Sequence, residues 1–469
     1  MNRSQIGWTA AAFALVLGMN PSLAQAQDPS SEETPEGGDT PDPDAENTSI
    51  ESITITAQKR AQRSQDVAIS VTAVSGDQIS DGNFGNAQEI TSLAAGISTI
   101  QPNGEANYAI AIRGVANSDF TTNVESPVAI YMDEVYISQM SGAGFQLFDM
   151  ERVEFLRGPQ GTLFGRNATG GLAHFITRKP SEELEGYVRL TYGRFDQFKA
   201  EAAVGGAVIP GLLSVRASGA GHWNNGYVVN RLDLDNNLNN ANDQAGRFQL
   251  LFTPLDDLSL LVNVRAATQN IRTGFFEYVS SVRPGELTPG EPNPVLNGYV
   301  DVPGNVFEGA YNDPGFNKLD TLGATATLNW SFESITVTSI TDYQTVKRDY
   351  IEDSDASPEP FFNFFLNTDA QQFSQELRVA GNMDWLNWVA GFYYLDLQVG
   401  DANGFESEPF GDFVLAPAVG LEPTADLTGF DVPYTTDTQS WSFFGQVGGR
   451  LQTYRRSQYE VTERFGLEA

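Results

Sequence analysis

The sequence predicts a small α+β domain followed by an antiparallel transmembrane β-barrel, the second part incomplete at about ten strands. Three observations carry this. After Pro180 the apolar residues recur with period two, and the period persists to about residue 449. The alternating segments are long enough to span a tilted membrane strand, and they are joined by tight and long connections in turn. Finally, 469 residues with 45 glycines and 11% aromatics contain no apolar run that makes a membrane helix, which leaves strands as the way to cross a bilayer.

The chain begins with export signals. Arg3 precedes the apolar run Trp8 to Leu17, and Ala24-Gln25-Ala26 has the small-x-small form of a cleavage site, so residues 1–26 read as a signal peptide with Gln27 as the mature N-terminus. Residues 27–50 form an acidic leader: between Asp28 and Thr48 lie eight acidic residues, four prolines and no basic residue, too little apolar surface to order itself. Residues 51–65 follow, where Ile53-Thr54-Ile55-Thr56 is a short β-prone stretch suited to pairing with an exposed sheet edge on another protein.

Residues 66–180 mix short strands, Ala68 to Val74 and Val128 to Met132, with a helix candidate at Asn86 to Leu93. Residues 181–449 then alternate. Leu258, Leu260, Val262, Val264 and Ala266 fall opposite Ser259, Asn263 and Arg265; Leu322, Ala324, Ala326, Leu328 and Trp330 fall opposite Thr321, Thr325, Thr327 and Asn329. Ten strands are expected near 184–193, 195–207, 211–223, 244–253, 258–270, 318–330, 334–347, 371–381, 386–399 and 438–449. The turns at Ile209-Pro210-Gly211, Pro254 to Asp257, Ser331 to Glu333 and Asn382 to Trp385 are tight, whereas 224–243, 271–317, 348–370 and 400–437 are long loops. Tyr192, Trp330, Tyr343, Trp388 and Trp441 sit near strand ends, where interfacial aromatic girdles belong.

The densest local signal is Arg152 to Pro180. Gly158, Gly161, Gly165, Gly170 and Gly171 stand there among five basic residues, a pattern of tight turns rather than a helix. This run, LRGPQGTLFGRN with a following Gly-Gly, resembles the plug of TonB-dependent outer-membrane receptors. The resemblance extends to Ala111-Ile112-Arg113-Gly114-Val115, to Ser126 through Asp133, and to Ser52 through Arg60. Glu134 stands where glycine is common, and Leu172-Ala173-His174 replaces Ala-Ile/Val-Asn.

The resemblance implies a plug inside a barrel, with Arg113, Gly114, Asp133, Arg152, Glu154, Arg157, Gly158, Pro159, Gly161, Gly165, Gly170 and Gly171 as its motif. It also implies that Ser52, Ile53, Thr54, Ile55, Thr56 and Ala57 form the TonB box. The implied function is energy-coupled import of a scarce ligand, most often a ferric siderophore, across the outer membrane. The implied partners are TonB with ExbB and ExbD, the barrel-assembly machinery, outer-membrane lipid and lipopolysaccharide, and the small ligand. Iron enters only as part of that ligand, so no cofactor is expected. A passive porin or adhesin, and an inactive truncated remnant, are the alternative readings.

Size raises the question of completeness. A plug of roughly 115 to 130 residues has a diameter of about 35 Å. Ten tilted strands enclose only about 20 Å, against about 44 Å for the 22 strands of plugged barrels. The tail 450–469 breaks the alternation with Arg450, Arg455, Arg456, Glu460, Glu463 and Arg464, and reads as atypical for a barrel.

The remaining candidates concern charge and rings. A net charge of -33 argues against nucleic acid as a partner, and the absence of cysteine removes thiolate chemistry and Cys-based metal sites. The two histidines, His174 and His222, receive no role, and the sequence is read as a non-enzyme with no metal site. Ser374, Glu376 and Arg378 face opposite Phe373, Leu377 and Val379, which puts Glu376 and Arg378 on the lumen side. The resemblance implies that these two pair with plug charges. Ligand recognition is expected at loop aromatics: Phe275, Phe276 and Tyr278, and Phe361 and Phe362 with Phe364 and Phe365. Asp349, Glu352, Asp353, Asp355 and Glu359 make one loop strongly acidic.

Overall fold

The protein is described from a computed structural model covering residues 54–56, 59, 62–63, 67, 69–100, 109–117, 119, 121, 124–139, 147–272, 276–278, 299–301, 305–383, 386–406, 429–452 and 458–468. The expected signal peptide and leader, Gln27, Ser52, Ile53, Ala57 and Phe275 lie outside the described residues.

The N-terminal part contains β1 (Thr54–Ile55), β2 (Gln62–Arg63), β3 (Ser70–Ser75), β4 (Ile97–Ile100), β5 (Ala109–Ile112), β6 (Val128–Met132), β7 (Val135–Tyr136), β8 (Met150–Arg157) and β9 (Gly171–Thr177). Its main sheet has the order β3-β8-β9-β6-β7, antiparallel except where β6 runs parallel to β9. Period two sorts its side chains into two cores. Val128, Ile130, Val153, Phe155 and Phe175 point into one, with Ile79 and Ile90 covering them. Ala129, Tyr131, Leu156 and Leu172 point the other way, into a core that also holds Ile55 and Val389. The second face is therefore closed by the N-terminal segment and by the barrel wall.

Local structure departs from expectation in three places. A helix, α1 (Gly76–Asp81), follows β3 where none was expected; Ser75 and Gln78 form a reciprocal capping box at its start. The helix expected at Asn86 to Leu93 is only a 3-10 turn at Glu89–Leu93, because the Asn86 side chain accepts the Gln88 and Glu89 amides and holds the chain in a turn. Within the glycine run, Gly161–Phe164 forms one helical turn, α2, instead of a further tight turn. It buries Leu163 and Phe164 and stops at Gly165, whose φ of 72° with ψ of -144° belongs to glycine alone.

The wall is built from β10 (Glu185–Tyr192), β11 (Phe198–Ile209), β12 (Leu213–Asn224), β14 (Ala241–Leu255), β15 (Leu258–Ile271), β17 (Phe316–Phe332), β18 (Ile335–Asp353), β19 (Asn363–Asn382), β20 (Leu386–Glu406), β21 (Gly429–Gln452) and β22 (Gln458–Glu468). The short strands β13 (Val229–Asn230) and β16 (Glu308–Gly309) pair in parallel within the connecting loops. The eleven long strands pair antiparallel in chain order, and β10 and β22 are the two edges of an open sheet. The tail is thus not outside the sheet: Gln458–Glu468 pairs with β21 as an eleventh strand. Several strands also run longer than expected. β18 and β19 stay paired from Phe332's neighbour Ile335 out to Asp353 and Asn363, which takes Phe364 and Phe365 out of the expected loop and onto β19.

Exposure is inverted relative to a water-soluble sheet. Leu190 at 65%, Leu322 at 53%, Phe443 at 58% and Trp441 at 50% are exposed, whereas Arg216, Gln249, Asn263, Asp342 and Glu376 are buried. An apolar outer band around a polar interior is what a bilayer selects. Tyr192, Trp330 and Tyr343 lie on the exposed face.

Candidate functional site

The site is the contact between the N-terminal α+β domain and the inner face of the wall. Strand register aligns the wall's share of it: Arg216, Gln249, Asn263, Thr325, Asp342 and Ser374 are direct cross-strand neighbours from β12 to β19. This polar row meets the plug at named points. Arg216 grips Asp149 in a two-point fork, 2.5 Å and 2.7 Å, with both side chains almost wholly buried. Arg247 donates to the Phe148 and Asp149 carbonyls at 3.0 Å and 3.1 Å and lies over the Phe148 ring. Gln249 donates to Thr177 Oγ1 at 3.0 Å, and Asn263 to Asp133 Oδ2 at 3.2 Å. Gln344 and Gln372 both donate to the Tyr136 carbonyl, at 2.9 Å and 2.8 Å.

A second cluster joins the plug, the wall and the N-terminal segment. The two-residue turn Asp133-Glu134 between β6 and β7 has φ of 48° and 71°, the left-handed pair of a tight hairpin. It aims Glu134 at Arg378, which also donates to Glu376 at 2.9 Å. Glu376 in turn accepts Lys59 Nζ at 2.5 Å. Lys59 lies between the Phe164 and Phe444 rings, 5.1 Å and 5.2 Å from their centroids, so α2 and the wall together cover its charge. Burial works to raise the Glu134 carboxyl, but the Arg378 guanidinium, with the Lys59 ammonium further off, more than reverses this and holds it at about 2. Burial pushes the His174 imidazole down, against the pull of Glu154, Glu134 and Asp133, and favours its neutral form.

Of the segment expected to be a TonB box, the described residues Thr54–Thr56 are docked. Thr54–Ile55 pairs with Gln62–Arg63 of its own chain, so the β-prone stretch has found a strand within the protein instead of on a partner. Ile55 is fully buried, and the Thr56 amide donates to both oxygens of Glu154, at 2.9 Å and 3.2 Å. Glu154 is itself fully buried and held by Arg152 Nε at 2.8 Å. Burial of Ile55 and the charge-assisted bond from Thr56 to Glu154 each contribute on the order of 1 to 3 kcal/mol.

The other motif residues stay within the plug. Arg157 ties Thr72 and the Ala95 carbonyl, at 2.7 Å and 3.0 Å, and the Arg113 amide donates to the Gly96 carbonyl at 2.8 Å. Gly114, Gly158, Gly165 and Gly171 have positive φ, and Gly170 leaves no room for a Cβ beside Val115. Pro159 and Gly161 line a cavity of about 400 Å³ next to Lys59 and Glu376.

The loop aromatics pack on one another. Phe362 stacks on Phe405 with centroids 4.5 Å apart, Phe361 is buried, and Tyr278 packs with Val228, Leu238, Tyr311 and Ala356, while Phe276 accepts Tyr311 Oη through its carbonyl. The larger cavity, about 480 Å³, lies instead between the plug and β10–β15, where Phe84, Glu89, Arg189, Lys199, Glu201 and Asp243 line it. Asp149, Arg216, Arg247 and Gln249 were not singled out from sequence, Asn263 was placed only on the polar face of its strand, and Lys59 only within the N-terminal resemblance. Arg216 and Gln249 had a readable signal, a polar residue on the lumen side of an alternating strand; the Asp149 partner, 67 residues from Arg216, had none.

The profile of the TonB-dependent Receptor Plug Domain matches residues 63–172. The pesticin receptor of Yersinia enterocolitica is 27% identical over 256 residues, covering 53% of this chain and 37% of that protein. The ferric-pyoverdine 358 receptor of Pseudomonas putida is 26% identical over 33% of this chain and 18% of its own. Among solved structures, the ferric yersiniabactin uptake receptor of Yersinia pestis shares the fold over 86% of this chain and 60% of that one, with a TM-score of 0.61 at 16% identity. The siderophore receptor PiuA of Acinetobacter baumannii does so over 88% and 62%, with a TM-score of 0.59 at 14% identity. This chain thus spans less than two thirds of each of these four proteins. The plug profile over residues 63–172, the outward-apolar sheet and the shared fold make this chain similar to TonB-dependent receptors.

Proposed function

We propose that the chain works as part of an energy-coupled importer in the bacterial outer membrane, carrying a ferric siderophore, with TonB, ExbB and ExbD supplying the force. One observation carries the reading. The segment Thr54–Thr56 is tied to the centre of the plug through Glu154, and Ile55 shares a core with Val389 of the wall. A pull on that segment therefore acts on the element that blocks the lumen, whereas a passive pore has no use for such a tie. Once drawn out, the same backbone is free to add a strand to a partner sheet. The ligand class is supported by the relatives, which include receptors for ferric pyoverdine and ferric yersiniabactin. The wall's outer face would contact lipid and lipopolysaccharide, and its strands would be inserted by the barrel-assembly machinery.

Uptake of iron-loaded yersiniabactin by cells carrying the intact receptor tests this. Deleting Ser52 to Ala57 is expected to abolish uptake while leaving the receptor in the outer membrane. Undiminished uptake would mean a passive pore.

A further inference from the structure

The larger cavity, about 480 Å³ between the plug and β10–β15, falls in the size range of small-molecule sites. Strand register builds its wall. Lys199 on β11, His222 on β12, Asp243 on β14 and Gln269 on β15 are direct cross-strand neighbours in that order. Residues paired in this way share a face of the sheet, and all of these line the cavity. Hydrogen bonds along the row fix their orientation. Gln269 Nε2 donates to Asp243 Oδ1 at 2.7 Å, and Gln269 Oε1 accepts Asn317 Nδ2 at 2.6 Å. Gln197 Nε2 donates to His222 Nε2 at 2.9 Å, which leaves the imidazole proton on Nδ1.

The row keeps free valences towards the cavity. His222 Nδ1 and Asp243 Oδ2 stand 3.7 Å apart, too far to bond each other, and neither has another partner among the described residues. A hydroxyl oxygen seated between them accepts from the imidazole and donates to the carboxylate. Beside them, Lys199 enters no ion pair among the described residues and offers its protons to a second hydroxyl. Where the connections after β10 and β12 meet, the Phe195 and Tyr227 rings also line the cavity, 5.8 Å apart, with Phe195 half exposed. The lining is close to neutral: Arg189 is paired with Glu201 at 2.9 Å and Asp149 with Arg216, while Glu89 and Asp243 stand against Lys199 and Arg194. A polyanion finds no surplus of cations there.

Exposed rings, a donor and an acceptor set one hydroxyl apart, and balanced charge suit a neutral polyhydroxylated ring, whose C–H faces bury against aromatics while each hydroxyl both gives and accepts a proton. We propose that this cavity is a subsite for a neutral sugar, with His222 and Asp243 bracketing one hydroxyl, Lys199 donating to a second and Phe195 covering a C–H face. This ligand class goes beyond the ferric siderophore of the import reading, and its binding needs neither TonB nor iron.

Calorimetric titration of the intact receptor with maltose, cellobiose and sucrose tests this, in lauryldimethylamine oxide so that no glycoside detergent competes. At least one of these sugars is expected to bind with a dissociation constant of about 1 mM or tighter. Asp243→Asn, which keeps the side chain's shape, and Lys199→Met are each expected to weaken that binding about tenfold, the loss of one hydrogen bond to a charged group. Phe195→Ala should weaken it as well, whereas Lys347→Met, exposed on another part of the wall, should leave it unchanged. The inference fails if none of the sugars binds, or if binding survives every cavity variant, since the sugar then sits elsewhere. It fails equally if sodium citrate binds in place of the sugars and is lost only in Lys199→Met, which would make the cavity an anion site. The uptake test after deletion of Ser52 to Ala57 bears on the import reading alone and leaves the titration standing whichever way it falls.

Discussion

Glu134 illustrates how a residue is selected by a distant partner. Its φ of 71° favours glycine, and a glutamate there carries backbone strain on the order of 1 kcal/mol. The ion pair with Arg378 offsets that cost and holds the carboxyl at about 2, well under its ordinary 4.5. A carboxyl lowered by folding stabilises the fold fully above its unfolded value and loses that contribution as pH falls through the folded one. The stability difference between the unaltered protein and Glu134→Gln is therefore expected to be constant at neutral pH and to shrink from about pH 4.5 towards about 2, as read by thermal unfolding at stepped pH. A difference that instead grew with acidification would contradict the assigned pair. The glycines at 158, 165 and 171 belong to the same scale, since each has a positive φ, whereas Gly170 is required by the close approach of Val115.

Among the elements, the wall strands were the most legible and the plug's small elements the least. Leu322, Leu328 and Trp330 point outward as their alternation requires, and Thr325 inward. Period two is written residue by residue, so β17 needs no knowledge of its neighbours to be found. Strand ends are different: β18 to β20 continue past the expected boundaries because pairing with a neighbour, not alternation, sustains them. α1 was missed although its capping box is plain in Ser75 and Gln78, since six residues are too few to display a helical period. The membrane reading of the wall predicts an asymmetry between faces. Leu377 is exposed on β19 between the buried Glu376 and Arg378. Leu377→Arg is expected to cost about 2 to 4 kcal/mol when the protein is folded into lipid vesicles, as for a cation near the bilayer midplane. The same variant should cost far less if that face met water, so denaturant titration in vesicles separates the two.

At the scale of the molecule, buried polar contacts join the plug to the wall alongside the apolar core that Val389 shares with the plug, among the described residues. Asp149 and Arg216 form the most enclosed of these among the described residues. Asp149→Ala would leave the buried Arg216 with only the half-exposed Glu185, 2.9 Å away, and Arg247 without its nearby carboxylate, a loss of about 3 kcal/mol. The expected outcome is faster protease cleavage of the plug with the wall strands still resistant; unchanged plug resistance would show that docking does not depend on this pair.

The sequence by itself determined the order of the two parts, the inside and outside of the wall, the crowding of positive-φ glycines at 158, 165 and 171, and a resemblance to the TonB-dependent receptor plug. These are local quantities: alternation, backbone freedom and a contiguous motif are all carried by neighbouring residues. Tertiary structure alone decided that Thr54–Ile55 lies docked against Gln62–Arg63, that Lys59 is a partner of Glu376, and that Asp149 meets Arg216. An ion pair between residues 317 apart leaves no periodic trace in the chain, because its energy depends on burial and distance that exist only once the sheet has wrapped the plug.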